Sequence, residues 1–210
     1  MAYYSSPIIR ECVITANSSL RGGGIHGFRS DPTIMNCTVT DNSAELEGGG
    51  IYCESDSVVI LNTLVTRNRA QKGGGISLYA VSATITNCVV TNNAGEELGG
   101  AVHLRTSDVQ AVHSTFAGNF APLAMGLACE SPQRESNNAE FVNCILWNGN
   151  TEIGNYDSST ITVAYSDIFE GWPGEGNINA DPCFAFENDY HIMPDSPCVD
   201  AGTIDSNGSQ

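Results

Sequence analysis

The feature of this sequence that most constrains its fold is an internal repeat of about 25 residues. A glycine-rich run opens each repeat, at Gly22, Gly48, Gly73 and Gly99, with a degenerate copy at Ala124. A second series, of the form Asn-Cys-x-Val-x-x-Asn, keeps the same register, as in NCTVTDN (36–42) and NCVVTNN (87–93). A fixed period of this length indicates a solenoid in which every repeat is one structural unit.

Each repeat holds three short β-prone runs separated by Gly, Asn, Ser or Asp. Leucines do not recur at fixed places, and helical repeats are longer, so neither a leucine-rich nor a helical solenoid fits. The sequence predicts an all-β right-handed parallel β-helix with three strands per coil, each stacked about 4.8 Å from its equivalent. We assign about six coils to residues 1–170 and an irregular C-terminal cap to residues 171–210.

Alternation along each strand predicts which side chains fill the core, since successive residues point to opposite faces. In the glycine-led strand the inward columns are Ile25, Ile51, Ile76, Val102 and Leu127, then Cys53, Leu78, Leu104 and Cys129. The second strand contributes Ile34, Ile60, Ile85, Ala111 and Phe141. The third contributes Val39, Val65, Val90, Phe116 and Leu146, preceded by Cys37, Thr63, Cys88, Ser114 and Cys144.

Asparagine recurs in two columns. Asn36, Asn62, Asn87 and Asn143 lie between the second and third strands, where a sharp turn favours a residue that tolerates the left-handed conformation. Asn17, Asn42, Asn68, Asn93 and Asn119 follow the third strand, where stacked amides can form a hydrogen-bonded ladder. Both columns are interpreted as structural.

Composition excludes several classes of partner. The formal net charge is −16, with one lysine and seven arginines, so the surface repels nucleic acid and anionic membranes. No segment approaches the roughly 20 apolar residues of a membrane span, which predicts no membrane insertion. The first residues do not form a basic region followed by an apolar core, so no secretion signal is visible.

The chain contains eight cysteines and no CxxC pair, which disfavours a thiolate zinc site. Cys37, Cys88 and Cys144 share one inward column two or more coils apart, so we predict free thiols there. Cys183 and Cys198 are the pair best placed for a disulfide, and the sequence leaves their state open. In the cap, Trp172, Phe184, Phe186 and Tyr190 could lie over the end of the core.

These repeats resemble the right-handed parallel β-helix family of the pectate-lyase-like superfamily, and in particular repeats of bacterial surface proteins such as the polymorphic outer-membrane proteins. Residues 165–202 are similar to a C-terminal segment of large bacterial extracellular β-helix proteins, DP-x-F…DY-x-L…SPC-x-DAG, with Ile192 at the leucine position. The resemblance implies an exported, extracellular or cell-surface protein. It leaves the activity open, because the superfamily contains lyases, hydrolases, epimerases, adhesins and inert stalks.

Because ligands in this superfamily usually lie along the outer face of one sheet, the outward residues of the glycine-led strands are the candidate ligand-binding residues. They are His26, Tyr52, Glu54, Tyr79, His103 and Arg105. Aromatic rings and directed hydrogen bonds there suit a polysaccharide, although ordinary solvated residues would give the same pattern. A hydrolase is disfavoured because Glu54 and Glu130 lie three coils apart. A lyase needs a base and a cation. The residues of this face could supply both, but the face contains no lysine.

No cofactor is expected, with one weak exception. Acidic residues before the glycines, Glu45, Glu47, Glu96 and Glu97, are candidates for calcium, although Gln71 and Lys72 interrupt the pattern. The favoured function is a non-catalytic extracellular or cell-surface β-helix segment that is structural or glycan-binding. The alternatives are a carbohydrate-active enzyme of the lyase or epimerase type, and a module that self-associates end to end through its N-terminal coil.

Overall fold

The computed structural model describes residues 2–3, 5–132, 135–186 and 189–203, with side chains described from residue 5 onward. These residues form β-strands joined by turns. Within this part of the chain, no helix is long and apolar enough to cross a membrane.

Sheet A is the largest of three parallel sheets and contains two rows of strands. The glycine-led row comprises β1 (Ala2–Tyr3), β5 (Ile25–Phe28), β9 (Ile51–Leu61), β12 (Ile76–Thr86), β15 (Val102–Arg105), β18 (Leu127–Cys129) and β21 (Ile153–Asn155). The row that follows it comprises β2 (Ile8–Arg10), β6 (Thr33–Met35), β16 (Asp108–Val112), β19 (Asn138–Val142) and β22 (Thr160–Ala164).

Two further parallel sheets complete the solenoid, sheet B with seven strands and sheet C with four strands in the earlier coils. Sheet B comprises β3 (Val13–Thr15), β7 (Thr38–Thr40), β10 (Leu64–Thr66), β13 (Val89–Thr91), β17 (Thr115–Ala117), β20 (Ile145–Trp147) and β23 (Asp167–Ile168). Sheet C comprises β4 (Ser18–Arg21), β8 (Ser43–Glu47), β11 (Arg69–Lys72) and β14 (Ala94–Leu98). The remaining strands, β24 (Phe184–Phe186) and β25 (Asp189–Ile192), pair with each other in antiparallel fashion.

Equivalent residues of successive coils stack directly on one another. Val65, for example, pairs with Val39 on one side and with Val90 on the other. The chain is therefore an all-β solenoid of about six turns, which confirms the predicted right-handed parallel β-helix.

The strands within a coil differ from the prediction in one respect. In the two central coils the first and second predicted strands are continuous, as the eleven-residue strands β9 and β12. Residues with positive φ, Ser55 (58°) and Ala80 (54°), bend these strands without ending them. The third sheet, sheet C, comes instead from the segment before the glycines, where the sequence predicts only a turn.

The core columns are as predicted. Every side chain assigned inward from alternation is buried, and most are fully excluded from solvent, including Ile51, Leu78, Ile85, Val90 and Leu146. The bulkier Phe116 and Phe141 meet edge to face at 5.4 Å. Stacking of matched side chains along the axis makes one continuous core through the coils.

Both asparagine columns are confirmed. Asn36, Asn62, Asn87 and Asn143 all have φ between 47° and 54°. In the other column each amide Nδ2 donates to the Oδ1 of the next coil, at 2.9–3.0 Å from Asn17 through Asn119. The ladder continues one step beyond the predicted column, to Asn148, at 2.9 Å.

All eight cysteines are free thiols in this structure. Burial raises the pKa of Cys53, Cys129 and Cys144 to about 12, as expected for small buried apolar groups. Cys183 and Cys198 are not joined, and Cys198 donates a hydrogen bond from Sγ to Oδ2 of Asp167 at 3.1 Å.

The C-terminal end of the helix is covered by the segment after β23. Trp172 packs against the core, as predicted. Asn177 holds the segment in place, donating to the carbonyls of Val163 and Trp172 and accepting from the Ser166 amide. These hydrogen bonds satisfy backbone groups of the last coil that would otherwise pair with a further coil.

The prediction that Phe184, Phe186 and Tyr190 also cover the end of the core is wrong. Tyr190 donates from its hydroxyl to Oδ1 of Asn92 at 2.8 Å, several coils away. Asn143 Oδ1 accepts from the Thr203 amide at 2.8 Å, and its Nδ2 donates to the Thr203 carbonyl at 3.0 Å. The last described residues therefore run back along the outer side of sheet B, and Phe186 is 77 % exposed.

The two ends of the asparagine ladder are different. At the C-terminal end, Glu152 accepts from the Asn148 amide at 2.5 Å and from its Nδ2 at 2.6 Å, and is itself buried. At the N-terminal end, Asn17 is exposed and its Oδ1 accepts no hydrogen bond from the described residues. Ile8, Val13 and Leu20, in the first coil, are more than half exposed.

Candidate functional site

The candidate residues lie where the glycine-led strands of sheet A meet sheet C, on the outside of the coil. Successive glycines make this corner tight. A Cβ on Gly49 would lie 2.4 Å from the carbonyl oxygen of Gly74 and 2.5 Å from that of Arg69. Because side chains are absent there, sheet C folds closely against the outer face of the glycine-led strands. We call this region the outer corner.

The first outward column is stacked as predicted, but beyond the partly exposed His26 it is buried. Register places His26, Tyr52, Ser77, His103 and Ala128 one above another. Tyr52 is only 2 % exposed, and Ser77 and His103 are 1 % exposed. The expectation of an open ligand-binding face is wrong for Tyr52 and His103, because sheet C, absent from the prediction, closes over them.

Tyr52 is held by its neighbours within the outer corner. Its hydroxyl donates to Oε2 of Glu54 at 3.0 Å, and the His26 ring meets its ring edge to face at 5.2 Å. The guanidinium of Arg21 lies 5.9 Å from the ring centroid and forms an ion pair with Glu47 at 2.8 Å. Burial, with the nearby carboxylates, raises the pKa of Tyr52, so its phenol stays protonated.

His103 lies between a hydroxyl and a carboxylate. Its Nδ1 is 3.1 Å from Ser77 Oγ, and its Nε2 is 3.5 Å from Oε2 of Glu130. The Lys72 ammonium reaches the same Glu130 oxygen at 2.7 Å. The His103 imidazole and the Lys72 ammonium hold the pKa of Glu130 at about 2. The expectation of no lysine on this face is therefore wrong, because Lys72 extends from sheet C across the corner.

Ser77, His103 and Glu130 have the residue types of a nucleophile, a base and an orienting acid. Nucleophilic catalysis also needs a hydroxyl that a substrate can reach. Ser77 and His103 are almost fully buried, so the arrangement serves as a polar packing contact between neighbouring coils.

The second outward column is partly accessible. Glu54, Tyr79 and Arg105 follow one another in register and are half-buried. The Arg105 guanidinium stacks over the Tyr79 ring at 4.8 Å from its centroid. A stacked aromatic ring and cation already satisfy each other, which leaves less of either for a ligand.

The weak calcium candidates are engaged in other contacts. Glu47 pairs with Arg21, and Glu96 pairs with Arg69 at 2.8 Å. Glu97 accepts from Gln71 Nε2 at 2.7 Å, and Glu45 is exposed. Across the described residues, no group of three or more His, Cys, Asp and Glu side chains is arranged to hold a metal ion.

Two cavities lie on the opposite side, where the C-terminal segment crosses sheet B. One, of about 310 Å³, is bounded by the Asn143 corner, Tyr165, Asp167 and residues 198–203. The other, of about 1010 Å³, separates β10 and β13 from Tyr190 and its neighbours in β25. We call the latter the hairpin groove. Neither cavity is predicted from the sequence, since no repeat signal shows where the C-terminal segment folds back.

Comparison with known proteins supports the fold and leaves the activity open. A family model described as a right-handed β-helix region matches residues 1–121, more than half of the chain. No curated protein and no solved structure matches the chain. The chain belongs to the right-handed β-helix family.

Proposed function

We propose that this protein is a non-catalytic structural segment of an extracellular or cell-surface β-helix protein. The observation that carries the proposal is the burial of Ser77 and His103, each 1 % exposed. The reactive side chains of the outer corner use their polar atoms to contact one another, as in Tyr52–Glu54 and Lys72–Glu130. Such contacts join neighbouring coils and stiffen the solenoid.

An enzyme of the lyase or epimerase type is less well supported by this geometry. Proton abstraction needs a base within hydrogen-bond reach of the substrate. In the outer corner the imidazole of His103 is buried, and that of His26 packs edge to face against the Tyr52 ring. The partly exposed Tyr79 and Arg105 are stacked on each other.

The proposal is tested by incubating the purified protein with a panel of neutral and acidic polysaccharides, with and without calcium. We expect no release of reducing ends and no unsaturated uronate at any pH between about 5 and 9. Turnover that Tyr79→Ala or His103→Ala abolishes, in a variant that keeps the wild-type unfolding midpoint, would place an active site at the outer corner and overturn the proposal.

An extracellular location rests on the resemblance of residues 165–202 to the C-terminal segment of exported β-helix proteins. Brief protease treatment of intact producing cells tests it. We expect peptides of this protein among those released, while a cytoplasmic marker stays intact. Release only after lysis would contradict a surface location.

A second candidate function, end-to-end assembly, is favoured by the open N-terminal coil. Among the described residues, the strands β2, β3 and β4 each pair on one side only, and the ladder ends at an exposed Asn17. Open strand edges pair readily with other chains. Because the C-terminal end is covered, pairing of two N-terminal edges would stop at a two-fold dimer and would not build a filament.

Light scattering across a concentration series tests the assembly. Ile9 packs against the core at the open end, whereas its neighbour Ile8 is 68 % exposed. We expect a dimer that Ile9→Lys dissociates and Ile8→Lys leaves intact. A wild-type monomer at every concentration would exclude self-association.

A further inference from the structure

The hairpin groove has a fixed wall. The hydroxyl of Tyr190 donates to Asn92 and lies directly over Gly118, where a Cβ would come within 2.4 Å of it. Gly118 has a φ of 63°, so both its conformation and its lack of a side chain suit this contact. Phe184 packs edge to face on the Tyr190 ring at 5.1 Å. The hairpin of β24 and β25 is thus docked on the coils and leaves a preformed groove.

The floor of the hairpin groove combines an apolar strip with a row of amides. Leu64 and Val89 are stacked in register and are partly exposed. Beside them, at the left-handed corner, Asn62 and Asn87 are exposed. The Asn87 amide makes no side-chain hydrogen bond to the described residues, and Asn62 uses only its Nδ2, on Asn36 at 3.2 Å. Free donors and acceptors therefore recur at the spacing of one coil, about 4.8 Å.

The charged groups at the rim already have partners. Arg67 makes two hydrogen bonds to Asp41, both at 2.8 Å. His191 pairs through Nδ1 with Asp189 at 2.5 Å. Since the chain as a whole carries a formal charge of −16, an anionic ligand would meet net repulsion. The groove suits an uncharged ligand with one apolar face and many hydroxyl groups.

We propose that the hairpin groove binds a neutral oligosaccharide. The apolar C–H face of the sugars lies on Leu64 and Val89, and their hydroxyls bond to Asn62 and Asn87. A volume of about 1010 Å³ is at the upper end of ordinary ligand pockets and admits several sugar units. This activity goes beyond the structural role and does not depend on it.

Titration calorimetry with neutral hexasaccharides of glucose, mannose and xylose tests the proposal, with hexagalacturonate as the acidic probe. We expect at least one neutral hexasaccharide to bind and hexagalacturonate not to bind. Asn87→Gly, which keeps the left-handed corner and removes the amide, should weaken binding about tenfold, the effect of losing one hydrogen bond. His113→Gly is the matched control, since His113 occupies the same left-handed corner one coil beyond Asn87, with a φ of 51°, and lies outside the groove; it should leave affinity unchanged.

Leu64→Ala removes part of the apolar floor and should also weaken binding if Asn87→Gly proves unstable. The proposal is overturned if no neutral hexasaccharide binds, if the acidic probe binds best, or if Tyr79→Ala weakens binding while the groove variants do not. The structural role is tested separately by the turnover assay, and none of these binding results changes its outcome.

Discussion

Two buried polar columns run along this β-helix, and they differ in composition. The ladder from Asn42 to Asn148 repeats one residue type, and each amide bonds to the next coil. The column of Tyr52, Ser77 and His103 in the outer corner is mixed, and its side chains contact one another and the carboxylates of Glu54 and Glu130. Repetition makes the ladder recognisable in the sequence. In the sequence, the mixed column resembles a binding surface, and only the structure shows that its side chains are buried.

The largest expected effect is from breaking the ladder at its centre. Asn93→Ala removes the bonds to Asn119 and to the Val65 carbonyl, and leaves the donors of Asn68 without their acceptor. Because these groups are buried, we expect a loss of about 4 kcal/mol in the free energy of unfolding, measured by urea denaturation. Asn17→Ala, the same change at the exposed end, should cost less than about 1 kcal/mol. Equal losses would show that burial does not set the strength of the ladder.

The difference between the repetitive ladder and the mixed column also explains which features could be predicted from the sequence. Matched residues at a fixed period identify the core columns, the left-handed corners and the ladder. The burial of Tyr52 and His103 could not be derived, because it depends on sheet C, whose segments SAELE (43–47), RAQK (69–72) and AGEEL (94–98) share no apolar pattern. The return of the last residues along sheet B was missed for a related reason. Its contacts, such as Tyr190 to Asn92, link residues 98 apart outside the repeat.

The next largest effect is expected at the glycines that bring sheet C over the outer corner. Gly49→Ala would place a methyl group against the backbone carbonyls of Gly74 and Arg69, neither of which can move aside within a stacked coil. We expect a loss of about 3 kcal/mol in the free energy of unfolding. Gly27→Ala is the control for introducing a side chain, because its φ is not positive and its Cβ position lies 3.2 Å or more from the nearest atoms, which belong to side chains. A mild effect at Gly49 would mean that the corner is more loosely packed than the structure indicates.

Each column ends on a carboxylate, and the two have opposite pKa shifts. Burial raises the pKa of Glu152, at the end of the ladder, from 4.5 to about 7, although three N–H groups oppose the shift. The folded state therefore binds the proton more tightly than the unfolded state does. The free energy of unfolding should fall by up to about 3 kcal/mol as pH rises from about 4.5 to 7. Glu152→Gln should remove this part of the pH dependence.

The smaller effect is expected from Glu130, in the outer corner, whose pKa is lowered to about 2. Its stabilising contribution is present above about pH 4.5 and is lost as pH falls through about 2. Since 41 % of its side chain is exposed, solvent screening limits the contribution to about 1 kcal/mol. Urea denaturation at about pH 5 and pH 2.5 should show a smaller drop for Glu130→Gln than for the wild type. An identical drop would mean that the contacts to His103 and Lys72 do not persist in solution.

The most direct test of the outer corner as a packed structural column is the reactivity of its histidine. His103 is 1 % exposed, whereas the side chain of His191 is 92 % exposed. Modification with diethyl pyrocarbonate, followed by peptide mass spectrometry, measures the reactivity of both histidines in one sample. We predict rapid modification of His191, no modification of His103 in the folded protein, and modification of both in urea. Modification of His103 at the rate of His191 under native conditions would contradict the account and restore the outer corner as an accessible site.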